Sequence, residues 1–178
     1  MTEFIVVPGI GGSDSTHWQS MWEQKLPSVS RFRPSSWDEP MLDDWLRALD
    51  ESVAAAKTPP VLIAHSLGCL LVAIWQETTN QPVSGAFLVA VPDPNAHAYP
   101  PQASSFTRLP QATLRFPSLM VASANDPYAS MSFAEERARV WGAELHRIGN
   151  AGHINGKSNL GVWPVGQALL EKLSLNAD

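Results

Sequence analysis

The run Val61-Leu62-Ile63-Ala64-His65-Ser66-Leu67-Gly68-Cys69-Leu70-Leu71 passes from a short β-branched apolar segment, through a small-x-Ser-x-Gly turn, into a strongly apolar helical stretch. Strand, sharp turn and helix in that order are the context that lifts a serine hydroxyl to the exposed end of a buried strand. The turn brings the two backbones so close that side chains larger than a methyl collide, which suits Ala64 and Gly68. Read without that context, Ser66 is an ordinary N-cap between a strand and a helix.

Outward from this point the chain alternates strand and helix signals. Phe4–Val7 is a buried strand closed by Pro8-Gly9. Thr16-His17-Trp18-Gln19 reads as a capping box opening a helix that Pro27 stops. Residues 30–33 form a weak strand, and Leu42, Trp45, Leu46, Leu49 and Val53 recur at helical spacing. Then come a helix over 67–77, a strand over 86–91, and a proline-dotted connection from Asp93 to Pro117 with at most one helical turn. A strand over 119–123 ends at Asn125-Asp126-Pro127. Ser132-Phe133-Ala134-Glu135 reads as a second capping box, whose helix stops at Gly142. A last strand spans 144–148, and Pro164 opens a final helix through Leu173.

Continuous apolar strands separated by helices predict an α/β fold, with a parallel sheet covered on both faces. Right-handed crossovers then place every strand's C-terminal end on one rim, where such sheets bind ligands. With 178 residues and no linker or repeat, one domain over 1–178 is expected. An apolar fraction of 44% against 16% charged residues excludes a disordered chain. The net charge of −5, without a Lys/Arg cluster, argues against nucleic acid or an anionic membrane as partner. No apolar run is long enough to span a bilayer, and the first residues lack a basic n-region. A single cysteine, Cys69, fits a reducing compartment, so a cytoplasmic protein is expected.

The rim collects Ser66, Asp126 and His153, each just after a strand. A serine hydroxyl needs an imidazole to take its proton, and the imidazole needs a carboxylate to fix its tautomer. The order Ser…Asp…His is that of α/β-hydrolases. Asp93 also follows a strand, but it lies between two prolines and reads as a turn residue, so Asp126 is preferred as the acid. The glycine run Pro8-Gly9-Ile10-Gly11-Gly12 offers an oxyanion donor at the Ile10 N–H, to act with the Leu67 N–H. It matches neither phosphate-loop spacing. Gly9, His17, Trp18 and Trp163 are candidate pocket residues, although core packing is the default for the tryptophans. His65 reads as packing, and Cys69 as a buried structural thiol. No metal-ligand spacing occurs, and no cofactor is expected.

With these residues assembled, the chain resembles the small serine hydrolases of the retinoblastoma-binding-protein-9 and YdeN type. The matching features are Pro8-Gly9-Ile10-Gly11-Gly12, His17-Trp18, Ala64-His65-Ser66-Leu67-Gly68, Asn125-Asp126-Pro127, and Gly152-His153 followed by Ser158, Gly161, Trp163 and Pro164. The resemblance implies a minimal three-layer α/β-hydrolase fold with about six mostly parallel strands, helices on both faces and no lid domain. It also implies a Ser66–Asp126–His153 triad acting on small esters or amides. Asn155-Gly156-Lys157, polar and flexible, departs from the pattern beside the histidine. The expected activity is cleavage of small carboxylic esters through an acyl-enzyme. The rivals are a binding module on a hydrolase scaffold, and acyl transfer or thioester cleavage.

Overall fold

The computed structural model describes residues 2–175. Among the described residues, six strands form one sheet in the order β2-β1-β3-β4-β5-β6. They are β1 (Phe4–Val7), β2 (Val29–Arg31), β3 (Val61–His65), β4 (Gly85–Val89), β5 (Ser118–Ser123) and β6 (Glu144–Ile148). All five pairings are parallel, with Val7 beside Ala64 and His65 beside Val89. Five α-helices among the described residues cover the sheet: α1 (Trp18–Glu23), α2 (Leu42–Ala54), α3 (Leu67–Trp75), α4 (Met131–Trp141) and α5 (Pro164–Leu175).

The strands read as continuous apolar runs because both faces are covered. Ile5, Val7, Leu62, Ala64, Leu88 and Met120 pack with Trp45, Leu49, Leu70, Trp75 and Trp141 of α2, α3 and α4. Their sequence neighbours Phe4, Val61, Ile63, Phe87, Val89, Leu119 and Val121 pack with Trp18, Trp22, Leu170 and Leu173 of α1 and α5. The two-residue side-chain period of a strand thus divides one apolar run between two cores. This is the α/β-hydrolase architecture that the sequence implied.

Several boundaries shift for local reasons. Thr16 does not cap α1; its hydroxyl and N–H both go to Asp14, and the His17 ring accepts from the Gln19 N–H as N-cap. At α4 the cap is Ser130, whose hydroxyl accepts from the Phe133 N–H, so the helix starts before the expected Ser132–Glu135 box. Gly142 does end that helix, in the left-handed region. β4 stops at Val89 because Ala90 turns to a φ of 55°. In the 90–117 connection a short 3-10 turn, Pro101–Ala103, is the one helical piece among the described residues, and Phe106 seats it on Trp45.

The chain runs from β1 outward to β2, then returns past β1 to β3 and proceeds the other way. That reversal opens a crevice beyond the C-terminal ends of β1 and β3, the position where parallel α/β sheets bind ligands. Ser66 and the loop after Val7 flank it.

Candidate active site

Ser66 joins β3 to α3 with φ 53° and ψ −124°, a conformation that L-residues rarely adopt. Its N–H is held by the Val89 carbonyl at 2.9 Å, which fixes the turn to β4. Small neighbours make the turn possible. A Cβ on Gly68 would strike the Val7 carbonyl oxygen, and one on Gly9 would come within 3.0 Å of the Ser66 Cβ. Gly9 therefore lies against the serine rather than on the cleft wall.

The Ser66 Oγ lies 2.8 Å from the His153 Nε2. On the far side of the ring, Nδ1 lies 2.9 Å from both Asp126 oxygens. A carboxylate only accepts, so Nδ1 carries the proton and Nε2 presents its lone pair to the hydroxyl. Both side chains are nearly enclosed, with 10% of His153 and 4% of Asp126 exposed. Asp126 Oδ1 also accepts from the Tyr128 N–H, and the Tyr128 ring lies 4.5 Å from the imidazole. Asp93 is elsewhere engaged, accepting from the Asn95 N–H in an Asx turn.

Loop 149–155 carries His153 and is tied down on all sides. Asn125 Oδ1 accepts from the Gly152 N–H at 2.8 Å and from the Ser123 hydroxyl. Ser158 donates to the Ala151 carbonyl at 2.6 Å, and Trp18 Nε1 donates to the Ile154 carbonyl at 2.8 Å. His65 Nε2 donates to the carbonyl of His153 itself at 2.8 Å. These ties explain how Ile154, fully buried, keeps a φ of 49°.

His65 stacks edge-on between His17 and His153, at centroid separations of 4.6 and 4.9 Å. Burial holds both His17 and His65 below the usual imidazole range, His17 to about 4; Arg31 and His153 push His17 down further against the pull of Asp14, and His17 and His153 push His65 down. Both are neutral at pH 7. Burial pushes the Cys69 thiol up, and it donates to the Val89 carbonyl, so it is not a thiolate.

A cleft of about 540 Å³ opens over Ser66, within the range of small-molecule sites. Ile10, His17, Leu67 and His153 line it. The Leu67 N–H, first in α3, has no partner within the helix by its position. Trp18 and Trp163 correct the expectation that they line the pocket. They are 1% and 4% exposed and pack on each other and on Trp22 and Phe87 beneath the site. The crossover before α1 turns Trp18 into the core, where its indole N–H serves the loop instead. Sequence reading did not single out Tyr99, Tyr128 or Asn159 on the cleft, nor Asn125 behind it. Only Asn125 carried a signal, in the Asn-Asp-Pro turn. Among the described residues no group of three or more His, Cys, Asp or Glu side chains is placed to hold a metal, and no helix is long and apolar enough to cross a membrane.

A family model described as serine hydrolase matches residues 4–172, and the chain belongs to that family. A protein described as a YdeN-like hydrolase, from Pectobacterium atrosepticum, is 32% identical over 99% of this chain and 92% of its own, with a TM-score of 0.89. The YdeN product of B. subtilis is 20% identical over 97% and 98% of the two chains, with a TM-score of 0.78. An esterase domain from Rhodothermus marinus is 17% identical over 98% and 87%, with a TM-score of 0.73. These place the chain among YdeN-type small serine hydrolases. No match was found among curated proteins.

Proposed function

We propose that this serine hydrolase cleaves small carboxylic esters through a Ser66–His153–Asp126 triad, as one lidless domain and without a cofactor. The single observation that supports it most is the continuous relay of 2.8 and 2.9 Å from hydroxyl to imidazole to carboxylate at the floor of an open cleft. As Ser66 Oγ attacks the carbonyl carbon, His153 Nε2 takes its proton, and Asp126 holds the imidazolium in register. The carbonyl oxygen becomes an oxyanion held by the N–H groups of Leu67 and Ile10, each such donor contributing about 3 kcal/mol. His153 then gives the proton to the leaving oxygen, and an acyl group remains on Ser66. Water, deprotonated by the same imidazole, attacks the acyl carbon and returns the serine.

Esters are favoured over amides because the leaving group departs more easily and no extended groove is evident in the sequence. Without a lid, short soluble acyl groups are favoured over long chains. The one cysteine, buried and unpaired, supports a reducing, cytoplasmic setting. A panel of p-nitrophenyl esters tests the reading: acetyl and butyryl esters are turned over, and Ser66→Ala abolishes turnover. Preference for palmitoyl esters would overturn the acyl assignment, and equal rates in Ser66→Ala would overturn the mechanism.

A further inference from the structure

Gly11, Gly12 and Ser13 follow Ile10 with φ of 81°, 71° and 57°, three successive residues in the left-handed region. Glycine adopts it freely, but at Ser13 it is strained and persists only where the surroundings impose it. Those surroundings are polar side chains. At the end of β2, Arg31 Nη1 donates to the carbonyls of both Gly12 and Ser13. From α1, the Ser20 hydroxyl donates to the Ser13 carbonyl at 2.7 Å, and Gln19 Oε1 accepts from the Ser13 hydroxyl at 2.7 Å. Gln19 Nε2 donates to the Ile63 carbonyl of β3 at 2.9 Å, so the buried amide anchors the loop to the sheet.

Arg31 is itself held on every nitrogen. Its Nε donates to the Glu23 carboxylate at 2.9 Å, and its Nη2 donates to the same carboxylate and to the Ser20 hydroxyl. The two charged side chains are 21% and 23% exposed, against 56% and 48% for the surface pair Arg147 and Glu135. A forked, half-buried pair of this kind fixes a geometry that an exposed pair does not.

Accepting the ester-hydrolase reading above, on which this rests, we infer that Arg31 is a positioning residue for the oxyanion hole, acting on the Ile10 N–H through Gly12. One chain of bonds makes the connection. Arg31 holds the Gly12 carbonyl, and the Gly12 N–H donates to the Gly9 carbonyl at 3.1 Å. That carbonyl belongs to the planar peptide unit whose N–H is that of Ile10, so the bond both orients and polarises the donor. Between them, the Gly11 N–H donates to the Trp37 carbonyl at 3.0 Å. A Cβ on Gly12 would strike the Trp37 ring, so the loop is confined on that side as well. Ile10 lines the cleft, whereas Arg31 lies behind the loop and acts only through it. Without the guanidinium, two carbonyls lose a donor and a glycine-rich turn regains its many other conformations. A displacement of about 1 Å at a catalytic group costs up to about a hundredfold in rate.

The test compares p-nitrophenyl butyrate with O-p-nitrophenyl thionobutyrate on the intact protein. Sulfur is a weak hydrogen-bond acceptor, so the thionoester draws little on oxyanion donors. Arg31→Met is expected to lower kcat/KM for the oxygen ester at least about tenfold, and for the thionoester less than about threefold. The ratio of the two therefore falls, whereas general damage to the triad lowers both alike and leaves the ratio where it was. A ratio within error of wild type, with or without lost activity, would overturn the inference and leave the hydrolase reading standing. If Arg31→Met does not fold, Ser20→Ala, which deletes a single hydroxyl, carries the same test. Its ratio is expected to fall about threefold, and an unchanged ratio again overturns the inference. Failure of the wild-type protein to hydrolyse p-nitrophenyl butyrate would remove both.

Discussion

Ser66 is held at φ 53° by its neighbours on both strands, and the strain is tolerated because it aims the hydroxyl at His153. The same economy governs His153, the proposed base, whose ring is set by Asp126 and whose backbone is set by His65. Asp126→Asn is expected to lower kcat by roughly 10⁴-fold with the fold intact, because the amide favours the wrong imidazole tautomer. Steady-state kinetics beside a circular dichroism spectrum checks this, and a loss under tenfold would contradict it. Asn125→Ala removes the acceptor for the Gly152 N–H. It is expected to cost about 1 kcal/mol in urea unfolding but about tenfold in kcat, because the His153 loop drifts from register. The proposed nucleophile, acid and base were legible at this scale, since each follows a strand signal. The residues that orient them were less so: Asn125 carried only the signal of the Asn-Asp-Pro turn, and Tyr128 and His65 act through contacts with the His153 loop and ring that no local pattern encodes.

Among the elements, the β3–α3 junction is the least tolerant. Gly68→Val would drive a side chain into the Val7 carbonyl and separate β1 from α3. Overpacking of this kind is expected to cost at least about 2 kcal/mol. A urea midpoint within error of wild type would show that the junction can yield. Element type was readable almost throughout, because apolar runs and helical spacing are dictated by burial. Helix starts were less so: Thr16 and Ser132 satisfy a capping-box pattern, yet His17 and Ser130 hold the cap positions. A hydroxyl competes for several nearby N–H groups, and Thr16 is claimed by Asp14. Trp18 and Trp163 show a similar limit, since richness in large rings says nothing of whether they face a cleft or a core.

For the whole molecule, the strand order places the site before any side chain does. The reversal between β1 and β3 makes one crevice, and the loops after both strands meet there. That much followed from alternating strand and helix signals, whereas the chemistry of the cleft walls depended on long connections without periodicity. Keeping His17 and His65 neutral in the core also makes the fold acid-sensitive. Their folded pKa values lie below the unfolded value, so the unfolded chain binds more protons in acid. Stability is therefore expected to be full above about pH 6.5 and to fall as pH drops toward 4, by about 3 kcal/mol from His17 alone. Urea midpoints that stay flat between pH 7 and 4.5 would contradict this. The central claim, convergence of Ser66, His153 and Asp126 into one reactive unit, is tested most directly by a fluorophosphonate probe read by intact mass and peptide mapping. One equivalent of adduct on Ser66, absent in Ser66→Ala and slowed at least about a hundredfold in His153→Ala, is the predicted result. No adduct on the wild-type protein, or labelling of Ser66→Ala at the wild-type rate, would contradict it.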